Sequence, residues 1–263
     1  MLRVSRLLVL VLVGIACGGE PAVRWQGERT AFTTGADVTL DVEGRLVPDA
    51  MMALAGRVSV PGASCPRSLR LAAAGRVLYG VWWAQQPDSS ARLLSAHSLD
   101  GGAHWSAPSP IDTTDRSAAG CTRVAPAIAA DSATNYVHVT YALLAAEGPG
   151  LFFSHSMDGG ASFHAPVPIL YGERLGRTSV AADGDVVVVG FEDPNGTQPR
   201  IGLALSRTMG HIFEQRLLPL SDDHGAASHP YTAVSGRRVA VAWERRAEPS
   251  AGPVVVLRTG TLP

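Results

Sequence analysis

Two segments of this chain, SLDGGAHW at 98–105 and SMDGGASF at 156–163, are nearly the same phrase, and their spacing constrains the fold more than any other feature. Aligning the chain on them exposes a longer repeated unit. Each unit opens with an apolar stretch, a turn and a second apolar stretch that usually ends on an aromatic. This part appears as SLRLAAAGRVLYGVWW (68–83), APAIAADSATNYVHVTYA (125–142), TSVAADGDVVVVGF (178–191) and PYTAVSGRRVAVAW (230–243). A shorter apolar stretch then runs into the Gly-rich turn, as RLLSAHSLDGGAHW, LFFSHSMDGGASF and a degenerate IGLALSRTMGHIF (201–213). SAPSPID, HAPVPIL and EQRLLPL follow the three turns, whereas the fourth copy retains only PVVVLRTGTLP.

The stretches are short, rich in Val, Leu, Ile, Tyr and Trp, and punctuated by Gly, Asp and Pro, which is the grammar of strands. Nothing after the first residues has helical periodicity with caps. Four antiparallel strands in each unit of about 50 residues predict an all-β chain built as a β-propeller of four-stranded blades. Four repeats are recognisable, and residues 45–63 are a candidate part of a fifth. The last unit lacks its outermost strand, and an uncovered edge invites aggregation. An N-terminal strand is therefore expected to close the ring, drawn from ADVTLDVEG (36–44) or from the stretch around Trp25.

The chain begins MLRVSRLLVLVLVGIAC, two arginines followed by an apolar run too short for an ordinary membrane span, which reads as an export signal. Gly14-Ile15-Ala16-Cys17 resembles a bacterial lipobox with Cys17 as the lipidated residue; cleavage near Ala16 is the alternative. The expected organisation is a signal over 1–17, a tether over 18–35 and one propeller domain over 36–263, a monomer exported to the bacterial cell envelope or secreted, touching membrane only through the lipid. Apart from Cys17 two cysteines remain, Cys65 and Cys121, an even number in a chain sent to an oxidising compartment. One disulfide is expected, two separately buried thiols being the alternative. Cysteine spacing supports neither zinc nor haem, and no cofactor is expected. A formal net charge of −1 with scattered arginines argues against nucleic acid as a partner.

The repeated phrase has the chemistry of a hairpin turn. An Asp side chain accepts backbone N–H groups, Gly adopts left-handed conformations cheaply, and a terminal aromatic packs beneath the turn. Ser98, Asp100, Gly101, Gly102 and Trp105 resemble the Asp box of the sialidase superfamily and related propellers, as do Ser156, Asp158, Gly159, Gly160 and Phe163. In the third copy Ser206, Gly210 and Phe213 persist while Thr208 replaces the Asp. In that superfamily the boxes lie on the blade periphery, away from the substrate channel. His97 and His155, each at the position before the Ser, are repeat-derived strand residues.

The resemblance also implies where to look for chemistry. Sialidases grip a carboxylate with three arginines and use a Tyr nucleophile activated by a Glu, with an Asp as acid/base. Here Tyr231 in PYTAVSGRRVAVAWE is the nucleophile candidate, Glu244 and Glu192 are its candidate activators, and Arg67, Arg123 and Arg177 are candidate substrate grips. A guanidinium suits a carboxylate because its fork meets both oxygens. Asp49 in LVPDAMM is the candidate acid. The family's R-I-P motif is absent, Cys65 stands about where its arginine would fall, and four or five blades are fewer than the six of the sialidase domain. Ordinary loop arginines and a Tyr packed at the channel lip are the structural alternatives.

Asp222, Asp223, His224 and His229 share a loop but match no metal-binding spacing, and no metal is expected. Trp82, Trp83, Trp105 and Trp243 include three that end strands at equivalent places in the repeat, which favours packing over ligand stacking. Two functions stand: an envelope-anchored propeller that binds a glycan or a protein, and a divergent sialidase-type glycoside hydrolase. If Tyr231, a Glu within hydrogen-bond reach of it and at least two of the arginines face one pocket, the second gains.

Overall fold

A computed structural model describes residues 20–31, 39–40, 46–47, 65–117, 120–221, 225–248, 250 and 252–263. The signal and Cys17, Asp49, the Asp222–His224 cluster and most of the suggested fifth blade lie outside them. Four short strands come first: β1 (Arg24–Trp25), β2 (Arg29–Ala31), β3 (Thr39–Leu40) and β4 (Leu46–Val47). The first repeat then forms β5 (Arg70–Ala74), β6 (Val77–Gln85), β7 (Ala91–Ser98) and β8 (Ser109–Asp112). The second forms β9 (Ala127–Asp131), β10 (Tyr136–Ala145), β11 (Gly148–Ser156) and β12 (Val167–Tyr171). The third forms β13 (Thr178–Asp183), β14 (Val186–Asp193), β15 (Arg200–Ser206) and β16 (Gln215–Pro219). The fourth supplies β17 (Ala226–Ser235), β18 (Arg238–Arg246) and β19 (Val254–Thr261).

Each of the first three repeats is one antiparallel sheet in chain order, and the first strands β5, β9, β13 and β17 lie side by side in sequence. That is the architecture of a β-propeller. The last blade is completed by the N terminus: Arg24 and Trp25 pair with Thr261 and Gly260, and Arg29 to Ala31 pair with Leu257 to Val255. The closing strand thus comes from the stretch around Trp25, inside the span expected to be a tether. Thr39–Leu40 pairs instead with Leu46–Val47. The physical reason is the edge itself, since β19 would otherwise present unpaired backbone groups along its length.

Blade-to-blade packing explains the near-continuous apolar runs. Side chains alternate across a strand, and each second strand is covered on both faces. In β14, Val186 and Val188 pack with Ile201, Leu203, Val239, Val241 and Trp243 toward the fourth blade. Val187 and Val189 point the other way, into Phe153, Leu151 and Ile169 of the second. Trp82, Trp83 and Trp243 are fully buried, so these indoles are core. Trp105 is half-buried against the outer face of the first blade.

The Gly-rich turns are structural in their hydrogen bonds. Ser98 Oγ accepts the Gly102 N–H (2.8 Å) and donates to Asp100 Oδ1 (2.8 Å), which accepts the His104 N–H (2.9 Å). Ser156, Gly160, Asp158 and Ser162 repeat the pattern at 2.7, 2.7 and 2.9 Å. In the third copy Ser206 Oγ accepts the Gly210 N–H (3.1 Å) and Thr208 Oγ1 accepts the Ile212 N–H (2.9 Å), so a hydroxyl does the carboxylate's work. A second stitch joins blades. Asp131 Oδ2 accepts the Gly184 N–H of the next blade (2.9 Å), and Asp183 Oδ2 accepts the Gly236 N–H of the one after (2.5 Å). Each acceptor is 53 residues before its donor, one repeat along the chain.

Candidate functional site

The openings of the inner strands converge on one cavity of about 460 Å³, lined by Arg67, Arg70, Arg177, Glu192, His229 and Tyr231 among others. It lies at the opposite ends of those strands from their hairpins. Arg67 comes from a 3-10 turn, Pro66–Ser68, held on one side by the Cys65–Cys121 disulfide, whose Cα atoms are 5.2 Å apart. Ser68 Oγ holds the other side, donating to Cys65 O (2.7 Å) and accepting the Trp83 N–H (2.9 Å). The disulfide therefore ties the entry of the first blade to that of the second, next to the cavity. Arg70 opens β5, with Nη1 on the carbonyls of Leu69 (2.8 Å) and Arg67 (3.1 Å).

Arg177 precedes β13, and its carbonyl accepts the Glu192 N–H (3.1 Å), which sets the two residues side by side at the same end of the third blade. Arg67, Arg70 and Arg177 are exposed, and none is ion-paired with a described acidic residue. Arg123 differs. It borders the cavity, but its side chain is 4% exposed and is ion-paired with Asp115, itself 3% exposed. Its Nη2 donates to Ser117 O (2.6 Å), and its guanidinium lies 4.6 Å from the centre of the Trp83 ring. Arg123 is thus committed to the fold, a desolvated cation satisfied by a desolvated anion.

Tyr231 sits where β17 resumes after a bulge, and the residue is 67% exposed. No described group hydrogen-bonds its hydroxyl. Glu192 faces the same cavity, with Oε1 accepting the His229 N–H at 2.7 Å. Glu244 is outside the lining: it pairs in the sheet with Ser228, and its Oε2 is 3.4 Å from His229 Nδ1. Among the described residues no group of three metal-ligating side chains stands where it could hold an ion.

The structure thus brings together Arg67, Arg177, Glu192 and Tyr231, places Arg123 at the edge with its charge neutralised, and leaves Glu244 one residue removed. Arg70 and Gly176 are pocket residues that pattern reading passed over, and His229, read from the sequence only as part of a polar loop with Asp222 and Asp223, is a third. For Arg70 a signal existed, since it is the residue that opens the first inner strand. For Gly176 none did, because its importance is a close approach from another strand.

No family model matches this chain, and no curated protein matches it. Solved structures do. A protein of unknown function from Dyadobacter fermentans DSM 18053 superposes with a TM-score of 0.53 at 15% identity, over 71% of this chain and 50% of that one. Zg3597, a family 117 glycoside hydrolase produced by the marine bacterium Zobellia galactanivorans, gives 0.41 at 13% identity, over 73% of this chain and 59% of that one. The α-L-arabinofuranosidase PaAbf62A from Podospora anserina, in complex with cellotriose, gives 0.37 at 9% identity, over 74% of this chain and 90% of that one. The chain spans 50% and 59% of the first two. The first likeness is one of fold alone.

Proposed function

We propose that this protein is a sialidase-like, Asp-box propeller that binds an acidic glycan, taking the sugar's carboxylate between Arg67, Arg70 and Arg177. The observation that carries this reading is the convergence of three exposed arginines, without acidic partners among the described residues, on one cavity with Tyr231 beside them. Guanidinium forks recognise carboxylates by paired hydrogen bonds. An exposed phenol ring offers an apolar face with a polar tip, which suits a sugar ring. Calorimetric titration should detect methyl glucuronide or a sialoside and not the neutral methyl glucoside. R67A and R177A should each weaken binding about tenfold or more, since a charged hydrogen bond contributes roughly 1.5–3 kcal/mol. Equal binding of acidic and neutral sugars would contradict it.

A hydrolase with Tyr231 as nucleophile is the second reading, favoured by the presence of Tyr231 and Glu192 in one cavity. Binding without turnover is preferred because a phenol without a base beside it is a poor nucleophile. Glu192 Oε1 is already occupied by the His229 N–H, and among the described residues Tyr231 has no hydrogen-bonded base. A fluorogenic sialoside decides between them: turnover abolished by Y231F would establish the hydrolase. For location, lipid anchoring of an exported chain through Cys17 is proposed from the lipobox pattern. Labelled palmitate should enter the wild type and not C17A.

A further inference from the structure

Glu192 is an odd neighbour for three arginines, because an anionic ligand entering the cavity must lie close to its carboxylate. The surrounding chain holds it there by two separate features. A Cβ on Gly176 would stand 2.6 Å from Glu192 Cβ and 2.7 Å from its Cδ, so the side chain lies across a position that only glycine leaves open. His229, whose N–H meets Glu192 Oε1 at 2.7 Å, has φ +56° at a bulge in β17, where Ser228 and Tyr231 pair with Glu244 and Ala242. Of the four described non-glycine residues with positive φ, only His229 lines this cavity. Its imidazole is itself held, with Nδ1 3.0 Å from Ser228 Oγ and 3.4 Å from Glu244 Oε2. Strained backbone at a cavity wall is a recurrent sign of a placed functional group.

Building on the acidic-glycan reading, we infer that Glu192 is the pocket's specificity-determining residue, selecting monoanionic, polyhydroxylated acids over compact dianions. The arginines alone would accept carboxylate, sulfate or phosphate. A fixed carboxylate lining the same cavity repels a second negative charge, yet its remaining lone pairs accept hydrogen bonds from the hydroxyls of a sugar that carries only one. Attraction and repulsion then act on different atoms of the ligand. Gly176 and the His229 bulge are positioning residues, since they act through Glu192.

The test titrates methyl glucuronide and inorganic sulfate into the wild type, E192Q and R67A/R177A, with melting temperatures recorded for each. Glutamine keeps an acceptor for the His229 N–H and removes the charge. The wild type should prefer glucuronide, and E192Q should tighten sulfate binding so that the preference falls about tenfold, in line with the cost of placing like charges together. Its melting temperature should not move, which separates this role from a mere staple between blades. Arginine-dependent binding with an unchanged preference in E192Q would overturn the role of Glu192 and leave the pocket standing. No arginine-dependent binding of either anion would overturn both. Should E192Q melt lower, the wild type decides alone: sulfate bound as tightly as glucuronide contradicts the inference.

Discussion

Asp115 is the residue that decides what Arg123 does. Oδ1 accepts the N–H groups of Ser117 (3.0 Å) and Leu144 (3.1 Å), while Oδ2 meets Arg123. Removing one member of a buried pair leaves the other desolvated and uncompensated, a loss of about 3–5 kcal/mol. D115A should therefore lower urea stability by that order while an R177A variant leaves it nearly unchanged; a loss below about 1 kcal/mol would return Arg123 to the list of free cations. Gly210 makes a second residue-scale prediction. It has φ +87°, and a Cβ there would collide with Phe153 Cζ and stand 2.6 Å from Phe153 Cε1, so G210A meets both a backbone and a packing penalty. Its urea midpoint should fall well below that of G75A, where the added Cβ meets nothing within 4 Å.

At the scale of elements, the junction of the second and third blades carries a run of ring contacts: Tyr136 stacks on His138 and His155, His155 stacks on His164, and His211 meets His155 edge-on. His138 is fully buried, and neither of its ring nitrogens has a hydrogen-bond partner among the described residues. Burial, then the neighbouring His155, holds His138 down at about 3, against a weaker pull upward from Asp131; burial, then His211 and His164, holds His155 at about 4. Both are neutral when folded, so as pH falls below about 6.5 the unfolded chain takes up protons the folded one refuses. Stability should be flat above neutrality and decline between about pH 6.5 and 4. Thermal melts across that range test it, and H138F, which removes an imidazole that makes no hydrogen bond, should flatten the decline. An unchanged slope would contradict this origin. The blades themselves were legible in the sequence because every repeat spells the same strands and turns. The closing strand was legible as a need with two candidates, and the stretch around Trp25 could not be preferred to 36–44 because Arg24 to Ala31 is short and polar until β19 is seen lacking a partner. Deleting residues 20–31 should expose that edge and give aggregation on size exclusion.

For the molecule as a whole, repetition positions function. Equivalent turns at one end fix the register, and the strand openings at the other bring Arg67, Arg177, Glu192 and Tyr231 together across blades. That much of the pocket could be read from repeat-equivalent positions. What could not was whether each charge is free: Arg67 and Arg123 follow their cysteines at the same offset, yet only Arg123 has a buried Asp at hand. The Cys65–Cys121 disulfide couples stability to the site, closing a loop across 56 residues beside Arg67. C65S/C121S should lose about 4 kcal/mol on the chain-entropy account. The central claim is that the arginine pocket holds an acidic sugar, and hydrogen exchange with and without saturating methyl glucuronide tests it most directly. The expected result is slowed exchange confined to the amides of 67–70, 176–178 and 228–231; slowing at the Gly-rich turns of 98–105 and 156–163 instead, or nowhere, would contradict it.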